Sequence, residues 1–201
     1  MPRPKQRTPE LRARLLKEAL ATLAEDGVAG FTTRSVARRA QTSAPAVYEL
    51  FGDKAGLVRQ VYFEGFRLLG TLLEACDETG DPLADLLRLA EISRQFRREN
   101  PVLAEVMFSR PFADFDPGPS DLEATSAVRR LIVHHVRRCI EAGILEGDEV
   151  DIAQAFVALT QGLAAAEMTG RLGTTKESVD RRWHFALNAL IRGLRPSPPE
   201  P

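Results

Sequence analysis

Hydroxyl-bearing and cationic side chains are concentrated in residues 32–54, whose sequence is TTRSVARRAQTSAPAVYELFGDK. Thr33, Ser43 and Lys54 stand at positions where helices can begin, and Tyr48 lies between them. Hydroxyl groups, free amides at a helix start and an ammonium group all bind phosphate oxygens well. The chemistry that this stretch can perform is therefore the binding of a phosphate backbone.

Catalytic and metal-binding chemistry finds little support elsewhere in the sequence. The three histidines are His134, His135 and His184, and the adjacent pair would point about 100° apart on a helix. Such a pair cannot hold a metal as two histidines at i, i+4 would. No Cys-x-x-Cys, phosphate loop or serine elbow occurs. We expect no enzyme activity, no catalytic residue, no metal and no cofactor.

The two cysteines, Cys76 and Cys139, are too few for a disulfide framework. We expect free thiols in a reducing cytoplasm, with a redox role for Cys139 as the less favoured alternative. No apolar run approaches the roughly 18 residues of a membrane helix. The basic N-terminus lacks the apolar core of a secretory signal, so the predicted location is cytoplasmic, without membrane contact.

Charge is distributed unevenly along the chain, although the net charge of the 201 residues is only −1. Residues 1–60 contain 11 basic and 6 acidic side chains, a net charge of +5. Residues 61–201 contain the other 16 basic and 22 acidic side chains, a net charge of −6. A basic front followed by an acidic body suggests an anionic partner for the front.

The elements that position the phosphate-binding residues are predicted to be short helices. A first helix ends at Gly27, because glycine readily takes the left-handed conformation that terminates helices. Thr32 or Thr33 caps a second helix, Gln41-Thr42 forms a tight turn, and Ser43 caps a third helix. The stretch therefore predicts two helices joined by a turn, followed by the start of a fourth helix.

The third helix has two distinct faces. Val47 and Phe51 lie four residues apart and point towards the core, whereas Ala44 and Tyr48 lie on the opposite side. Pro45 is tolerated in the first turn, where backbone amides have no partner within the helix. A short helix of this kind can enter the major groove of DNA, which admits one helix.

The order Thr-Thr, Val-Ala-x-x-Ala and Ser-Ala-Pro-Ala-Val-Tyr-x-x-Phe-x-x-Lys-x-x-Leu resembles the DNA-binding domain of TetR-family transcriptional regulators over residues 8–60. The resemblance implies a helix-turn-helix. Two positions depart from the family pattern: Gln41 replaces the usual glycine, and Leu50 replaces a frequent histidine or tyrosine. A left-handed Gln41 would carry a strain of about 1 kcal/mol. Any backbone contact that the family makes from position 50 would be absent.

The predicted DNA contacts combine an apolar face with flanking polar groups. Ala44 and Pro45 can touch a thymine methyl group, and the Tyr48 hydroxyl can reach a phosphate. Arg34 is the best candidate on the second helix. The full predicted set is Thr32, Thr33, Arg34, Gln41, Thr42, Ser43, Ala44, Pro45, Tyr48 and Lys54.

The rest of the chain predicts a helical body, so the expected fold is all-α with about nine helices. We expect a basic arm and helix-turn-helix domain in residues 1–53, a regulatory and dimerisation domain in residues 54–195, and a disordered tail in residues 196–201. A capping box of Ser120 and Glu123 is predicted to start the seventh helix. The proline-rich segment 109–120 reads as a loop that could line or cover a pocket.

The resemblance also implies that the last two long helices pair with those of a second subunit. Small residues repeat every three or four positions on the eighth helix, which allows another helix to approach closely. The predicted interface residues are Ala155, Ala158, Gly162, Ala165, Trp183, Leu187, Leu190 and Ile191. Ordinary packing within one chain is the alternative.

A ligand pocket is expected among helices four to eight, although plain core packing is the favoured interpretation of each candidate residue taken singly. The candidates are Phe63, Phe66, Phe96, Met107, Phe108, Phe112, His134, His135 and Gln161. Their aromatic character suggests a mostly apolar ligand held by few polar groups.

Taken together, these patterns predict a ligand-responsive transcriptional repressor. It would bind double-stranded DNA with an inverted-repeat operator as a homodimer, and an unknown small-molecule effector would release it. The alternative is a helical binding protein whose N-terminal head contacts proteins rather than DNA.

Overall fold

The computed structural model describes residues 8–109 and 111–196, which form ten α-helices and no β-strand. The helices are α1 (Pro9–Gly30), α2 (Thr33–Arg39), α3 (Ala44–Phe51), α4 (Lys54–Glu74), α5 (Pro82–Glu99), α6 (Pro101–Phe108), α7 (Pro119–Ala124), α8 (Ser126–Glu141), α9 (Glu149–Met168) and α10 (Lys176–Gly193). The all-α prediction is confirmed. The predicted disordered arm, residues 1–7, and residues 197–201 of the predicted tail lie outside the described residues.

The count of ten rather than nine arises because the predicted seventh helix is two helices, α7 and α8. The predicted capping box of Ser120 and Glu123 is wrong. The helix begins two residues earlier than predicted, at Pro119, whose ring favours the first helical position. Gly118 is the N-cap, and its amide donates to the Asp121 carboxylate at 3.1 Å. Asp121 therefore makes the capping contact assigned to Glu123.

Local hydrogen bonds explain where the helices near the turn begin. Thr32, rather than Thr33, caps α2: the amide of Ser35 donates to Thr32 Oγ1, and the Thr32 amide donates to Ser35 Oγ, both at 3.0 Å. Gly27 interrupts α1 with a φ of +66°, as the sequence predicts, but one further turn continues to Gly30. The entry to α2 is therefore defined by side-chain caps as well as by backbone geometry.

The described residues pack into two units, and α4 contributes to both. The first unit contains residues 8–68 and 100–125, and the second contains residues 69–99 and 126–196. The predicted functional division after residue 53 concerns DNA-binding and regulatory roles, and it stays a prediction. In the first unit, fully buried apolar side chains come from α1, α2, α3 and α4 and from the link between α1 and α2: Leu15, Ala19, Phe31, Val36, Val47, Leu57 and Val61.

A close approach between α4 and α6 is part of the first unit. Gly65 lies inside α4, where glycine costs about 0.5–1 kcal/mol relative to alanine. A Cβ atom at position 65 would lie 2.6 Å from Met107 Sδ and 3.2 Å from Leu103 Cδ1. The absence of a side chain therefore lets buried residues of α6 pack directly against the α4 backbone.

A buried ion-pair network joins α5, α9 and α10 in the second unit. Arg94 is only 6% exposed and contacts Glu167 at 2.8 Å and Asp180 at 2.7 Å. Its guanidinium lies 5.0 Å from the ring of Trp183, whose indole nitrogen donates to Glu167 at 2.7 Å. Hydrogen bonds from Lys176 and then from Arg94 hold the pKa of Asp180 at about 2. Each charged side chain of the network thus has an oppositely charged partner, without which its burial would be costly.

We predict that Arg94→Met lowers the free energy of unfolding by about 3–5 kcal/mol, because it leaves Glu167 and Asp180 without their shared cation. Urea unfolding followed by circular dichroism measures this change. Arg98→Met is the matched control, since Arg98 is far more exposed and lies 3.9 Å from Glu167. The control is expected to cost less than about 1 kcal/mol. Equal losses in the two variants would contradict the prediction.

Candidate nucleic-acid interface

The turn between α2 and α3 has left-handed backbone geometry at Gln41. Its φ is +52°, and it is the only non-glycine residue with a positive φ among the residues that the structure describes. The amide of Gln41 donates to the Arg38 carbonyl at 3.1 Å, and that of Thr42 donates to the Ala37 carbonyl at 2.9 Å. This is the conformation expected where a glycine is replaced, so the chain keeps the turn despite its strain.

A hydroxyl pair joins the two helices. Tyr48 Oη lies 3.1 Å from Thr33 Oγ1, with Tyr48 49% exposed and Thr33 only 7% exposed. One hydroxyl hydrogen is used within the pair, which leaves the other free for an outside acceptor such as a phosphate oxygen. The structure therefore brings two predicted DNA-contacting residues together: the hydroxyl of the buried Thr33 contacts the hydroxyl of the exposed Tyr48.

The remaining predicted residues surround this pair on α2, the turn and the start of α3. Thr32, Arg34, Gln41, Ser43 and Pro45 are exposed, whereas Thr42 and Ala44 are half-buried. Ser43 is the N-cap of α3, as predicted, but its side chain makes no capping hydrogen bond. Its hydroxyl is therefore not used by the helix that it precedes.

Two of the three arginines on α2 are exposed to solvent, whereas the third forms ion pairs with α1. Arg34 and Arg38 are exposed and four residues apart, and neither has an ion pair among the described residues. Arg39 instead contacts Glu25 at 2.7 Å and Glu18 at 3.4 Å, both on α1. Its guanidinium holds the pKa of Glu25 below the ordinary value, first by hydrogen bonding and then by charge. Arg38 was not in the predicted set, although its i, i+4 relation to Arg34 could have indicated it.

The carbonyl end of α3 is held by a residue that sequence reasoning missed. Arg12 of α1 donates to the Leu50 carbonyl at 2.9 Å, and its guanidinium lies 4.8 Å from the Phe51 ring. A cation at the last turn stabilises the exposed carbonyls of a helix. Leu50, one of the two departures from the family pattern, therefore contributes its backbone carbonyl to the contact between α1 and α3.

Lys54 is half-buried at the start of α4, and its ammonium lies 5.0 Å from the centroid of the Phe112 ring. A side-chain cap lies just before it, because Asp53 Oδ1 accepts from the Gly56 amide at 2.7 Å. Phe112 also contacts Phe31, with ring centroids 5.3 Å apart. The position of Lys54 thus depends on a neighbour from a distant part of the sequence.

The predicted pocket residues fall into both packing units. In the first unit, Phe66 contacts Phe108 with ring centroids 5.5 Å apart, and Phe63 and Phe66 both contact Tyr62, which was not predicted. The other members of this group are Met107 and Phe112, which are both buried. Within the first unit, Phe63 and Phe66 therefore pack against Tyr62, and Phe108 joins them through Phe66.

In the second unit, Phe96 and His135 are buried, Gln161 is half-buried, and His134 is exposed. His134 Nε2 lies 2.8 Å from Glu78, and burial lowers the pKa of His135. A surface groove of about 380 Å³ includes His134 but none of the other candidates; it is lined by Arg129, Arg130, Val133, His134, Arg137 and Val150. The pocket assignment stays a prediction.

The predicted dimer residues divide by helix. On α9, Ala155, Ala158, Gly162 and Ala165 are all exposed, and a Cβ at Gly162 would meet no atom within 4 Å. On α10, Trp183, Leu187 and Ile191 are buried within the protomer, and Leu190 is half-buried. Phe185 of α10, which the sequence reasoning missed, is 68% exposed. The exposed members of the predicted interface are therefore the small residues of α9. Phe185 is the largest exposed apolar residue of α10.

Other chemistry is sparse in the part of the chain that the structure describes. No group of three or more His, Cys, Asp or Glu side chains there could hold a metal ion. No helix in that part is long and apolar enough to cross a membrane. Cys139 is buried, and burial raises the pKa of its thiol to about 11, which favours the unreactive protonated form.

Known proteins share both the sequence pattern and the fold. Residues 15–61 match the family described as bacterial regulatory proteins, tetR family, and residues 86–190 match the tetracyclin repressor-like C-terminal domain. YvkB of Bacillus subtilis strain 168, an uncharacterized HTH-type transcriptional regulator, is 24% identical over 150 residues, 74% of this chain and 78% of YvkB.

Two solved structures illustrate the similarity of fold. A protein of unknown function from Rhodococcus sp. RHA1 has a TM-score of 0.78 and 28% identity, over 96% of this chain and 100% of that one. The TetR family transcriptional regulator PfmR from Thermus thermophilus has a TM-score of 0.65 and 19% identity, over 91% of this chain and 100% of that one. Both matches show that this chain and the two solved structures share a fold.

We predict that Gln41→Gly raises the free energy of unfolding by up to about 1 kcal/mol, because glycine relieves the left-handed strain at this position. Thr42→Gly is the neighbouring control and is expected to lower it by about 0.5–1 kcal/mol, since Thr42 has no positive φ to relieve. Denaturant unfolding of both variants beside the parent protein measures the two changes. A loss of stability in Gln41→Gly as large as that in Thr42→Gly would contradict the strain argument.

Proposed function

Because this chain belongs to the TetR family of bacterial transcriptional regulators, we propose that it is a ligand-responsive repressor. It binds an inverted-repeat operator as a homodimer, and a small, mostly apolar effector releases it. Regulators of this family bind DNA, form dimers and respond to small molecules. The observation that carries the proposal for this chain is the exposed Tyr48 hydroxyl, which Thr33 supports at 3.1 Å beside the exposed Arg34 and Arg38.

The residues on the α2–α3 surface can make different kinds of contact with DNA. Arg34 and Arg38 supply positive charge, and the hydroxyl pair supplies a directional donor for a phosphate oxygen. Ala44 and Pro45, in the first turn of α3, can contact thymine methyl groups but cannot make the bidentate hydrogen bonds that read guanine or adenine. Specificity therefore also depends on the spacing of two subunits and on DNA shape.

A homodimer follows from the small size of the reading surface. One helix of eight residues reads few base pairs, and two-fold symmetry doubles the site. The exposed small face of α9 supports close packing against a second copy, whereas the side chains of Trp183, Leu187 and Ile191 are buried within the protomer. We accordingly place Ala155, Ala158, Gly162 and Ala165 at the centre of the proposed interface and add Phe185.

Release by an effector is proposed as a shift between two populations of the dimer. One arrangement of the DNA-binding heads matches the operator, and an effector that binds the other arrangement more tightly weakens DNA binding by the difference in affinity. The helix α4 is the proposed lever, since it contributes residues to both packing units. Occupancy of a promoter is sufficient for repression, and access to the chromosome implies a cytoplasmic location.

The direct test is capture of genomic DNA fragments by the purified protein, followed by sequencing. We expect enrichment of fragments that share an inverted repeat, and an affinity for this repeat that falls steeply with salt because phosphate contacts release counterions. The same duplex with one half-site scrambled is the control. Absence of any enriched motif, together with a flat salt response, would refute the proposal and favour a head that binds proteins.

We predict that Tyr48→Phe weakens operator binding about 2- to 10-fold without changing the salt slope, because it removes a neutral hydrogen bond and keeps the ring. Arg38→Gln is expected to reduce the slope of log K against log salt by about 0.9, because it removes one charged phosphate contact. Fluorescence anisotropy over a salt series measures both. Arg171→Gln removes an exposed arginine far along the chain and should leave the slope unchanged. Unchanged affinity in Tyr48→Phe would remove Tyr48 from the interface.

We predict that Ala158→Glu converts the dimer to monomers at micromolar concentration, because it places like charges on the small face that two copies share. Analytical ultracentrifugation measures the change. Ala127→Glu is the matched control, as both alanines are exposed in helices but Ala127 lies on α8. A parent protein that sediments as a monomer would contradict the dimer proposal, and dissociation of both variants would contradict the placement of the interface.

A further inference from the structure

Residues 111–120, part of the segment predicted from the sequence to line or cover a pocket, belong to the first unit. Phe112 and Phe115 are each 5% exposed, and Pro117 is also buried. Phe115 contacts Tyr62 with ring centroids 5.5 Å apart, and Asp121 at the start of α7 contacts Arg59 at 3.2 Å. Several residues of α4 therefore anchor this segment.

Phe112 differs from its neighbours because it contacts both ends of the helix-turn-helix. On one side it meets the ring of Phe31, which is fully buried and lies immediately before Thr32, the N-cap of α2. On another side it meets Lys54, the first residue of α4. One ring thus joins the residue that precedes the α2 cap to the residue that begins the helix after α3.

The contact with Lys54 has a direct electrostatic consequence. An ammonium within about 6 Å of an aromatic centroid is attracted to the negative face of the ring. A free lysine side chain has rotamer entropy to lose when it binds a phosphate. A lysine already held over a ring loses less of this entropy on binding, so its charge is placed before DNA arrives.

We propose that Phe112 is a positioning residue for DNA binding, whose ring holds the Lys54 ammonium and the entry to α2 in the arrangement that meets the DNA backbone. This inference rests on the proposed function of the α2–α3 surface. It gives Phe112 a role different from the pocket-lining one that the sequence suggested. Phe115 is the natural comparison, because it is equally buried in the same segment and contacts Tyr62 and Arg59 rather than Lys54.

The first test reports the contact without DNA. The chain has only four lysines, Lys5, Lys17, Lys54 and Lys176, and reductive methylation with ¹³C-formaldehyde labels each while keeping its charge. We expect the Lys54 methyl resonance, assigned by its loss in Lys54→Arg, to be shifted upfield by the ring current of Phe112. Phe112→Leu should abolish this shift and Phe115→Leu should preserve it. An unshifted Lys54 resonance in the parent protein would overturn the proposal.

The second test is a double-mutant cycle on the salt dependence of operator binding. Lys54→Gln is expected to reduce the slope of log K against log salt by about 0.9, which is about eightfold in affinity at 0.1 M salt. Phe112→Leu should produce the same reduction, and the double variant should show no further change. Additive reductions, or a full slope in Phe112→Leu, would overturn the proposal, because a purely structural role would not act through Lys54.

Two further variants keep the test decisive if Phe112→Leu fails to fold. Phe112→Tyr and Phe112→Trp retain a ring for the ammonium, so the resonance shift and the salt slope should both remain; loss of the slope in folded ring-bearing variants would count against the inference. Failure of the proposed function has a different signature. In that case the parent protein shows no salt-dependent DNA binding, while the methyl resonance still reports whether Phe112 holds Lys54.

Discussion

The short length of α2 and α3 is the constraint on which the proposed DNA-binding surface depends. These helices have seven and eight residues, whereas isolated helices below about 12–15 residues are marginal in water. Their order must therefore come from contacts outside themselves. Buried Val36 and Val47 provide the apolar part, and Arg39 ties α2 to Glu25 on α1. The surface is consequently only as rigid as the elements around it.

Polar contacts complete this support in a way that apolar packing could not. Burial of Val47 fixes which face of α3 points inwards, but side chains of that kind allow small rotations of the helix. The Tyr48–Thr33 hydroxyl pair and the bond from Arg12 to the Leu50 carbonyl are directional, and they join α3 to two different helices. In the second unit, Arg94 provides an analogous link between α9 and α10 through Glu167 and Asp180.

Local features of the sequence were predicted most successfully because their causes are local. The predicted turn at Gln41-Thr42 and the predicted N-cap position at Ser43 follow from short-range geometry, and both are present. The error at Ser120 and Glu123 has a similarly local origin: Gly118 and Asp121 also match the spacing of a cap, and Pro119 favours them. The sequence thus contains two overlapping cap patterns, and their spacing alone does not show which of them forms the cap.

Contacts between distant segments lay beyond sequence reasoning. Helical periodicity identifies the apolar face of α10 but does not say whether that face meets its own chain or another one; Trp183, Leu187 and Ile191 meet their own. The exposed Phe185 sits outside the apolar stripe and carried no periodic signal. The approach of Phe112 to Lys54 joins residues 58 positions apart, and no spacing rule relates them.

The glycine inside α4 has a consequence for how this sequence can change over time. A Cβ atom at position 65 would lie 2.6 Å from Met107 Sδ, so the buried Met107 side chain would have to shift. Substitution of Gly65 is therefore compatible with the present packing only when position 107 becomes smaller in the same lineage. We expect the two positions to vary together among descendants of this protein, as a coupled pair rather than as independent sites.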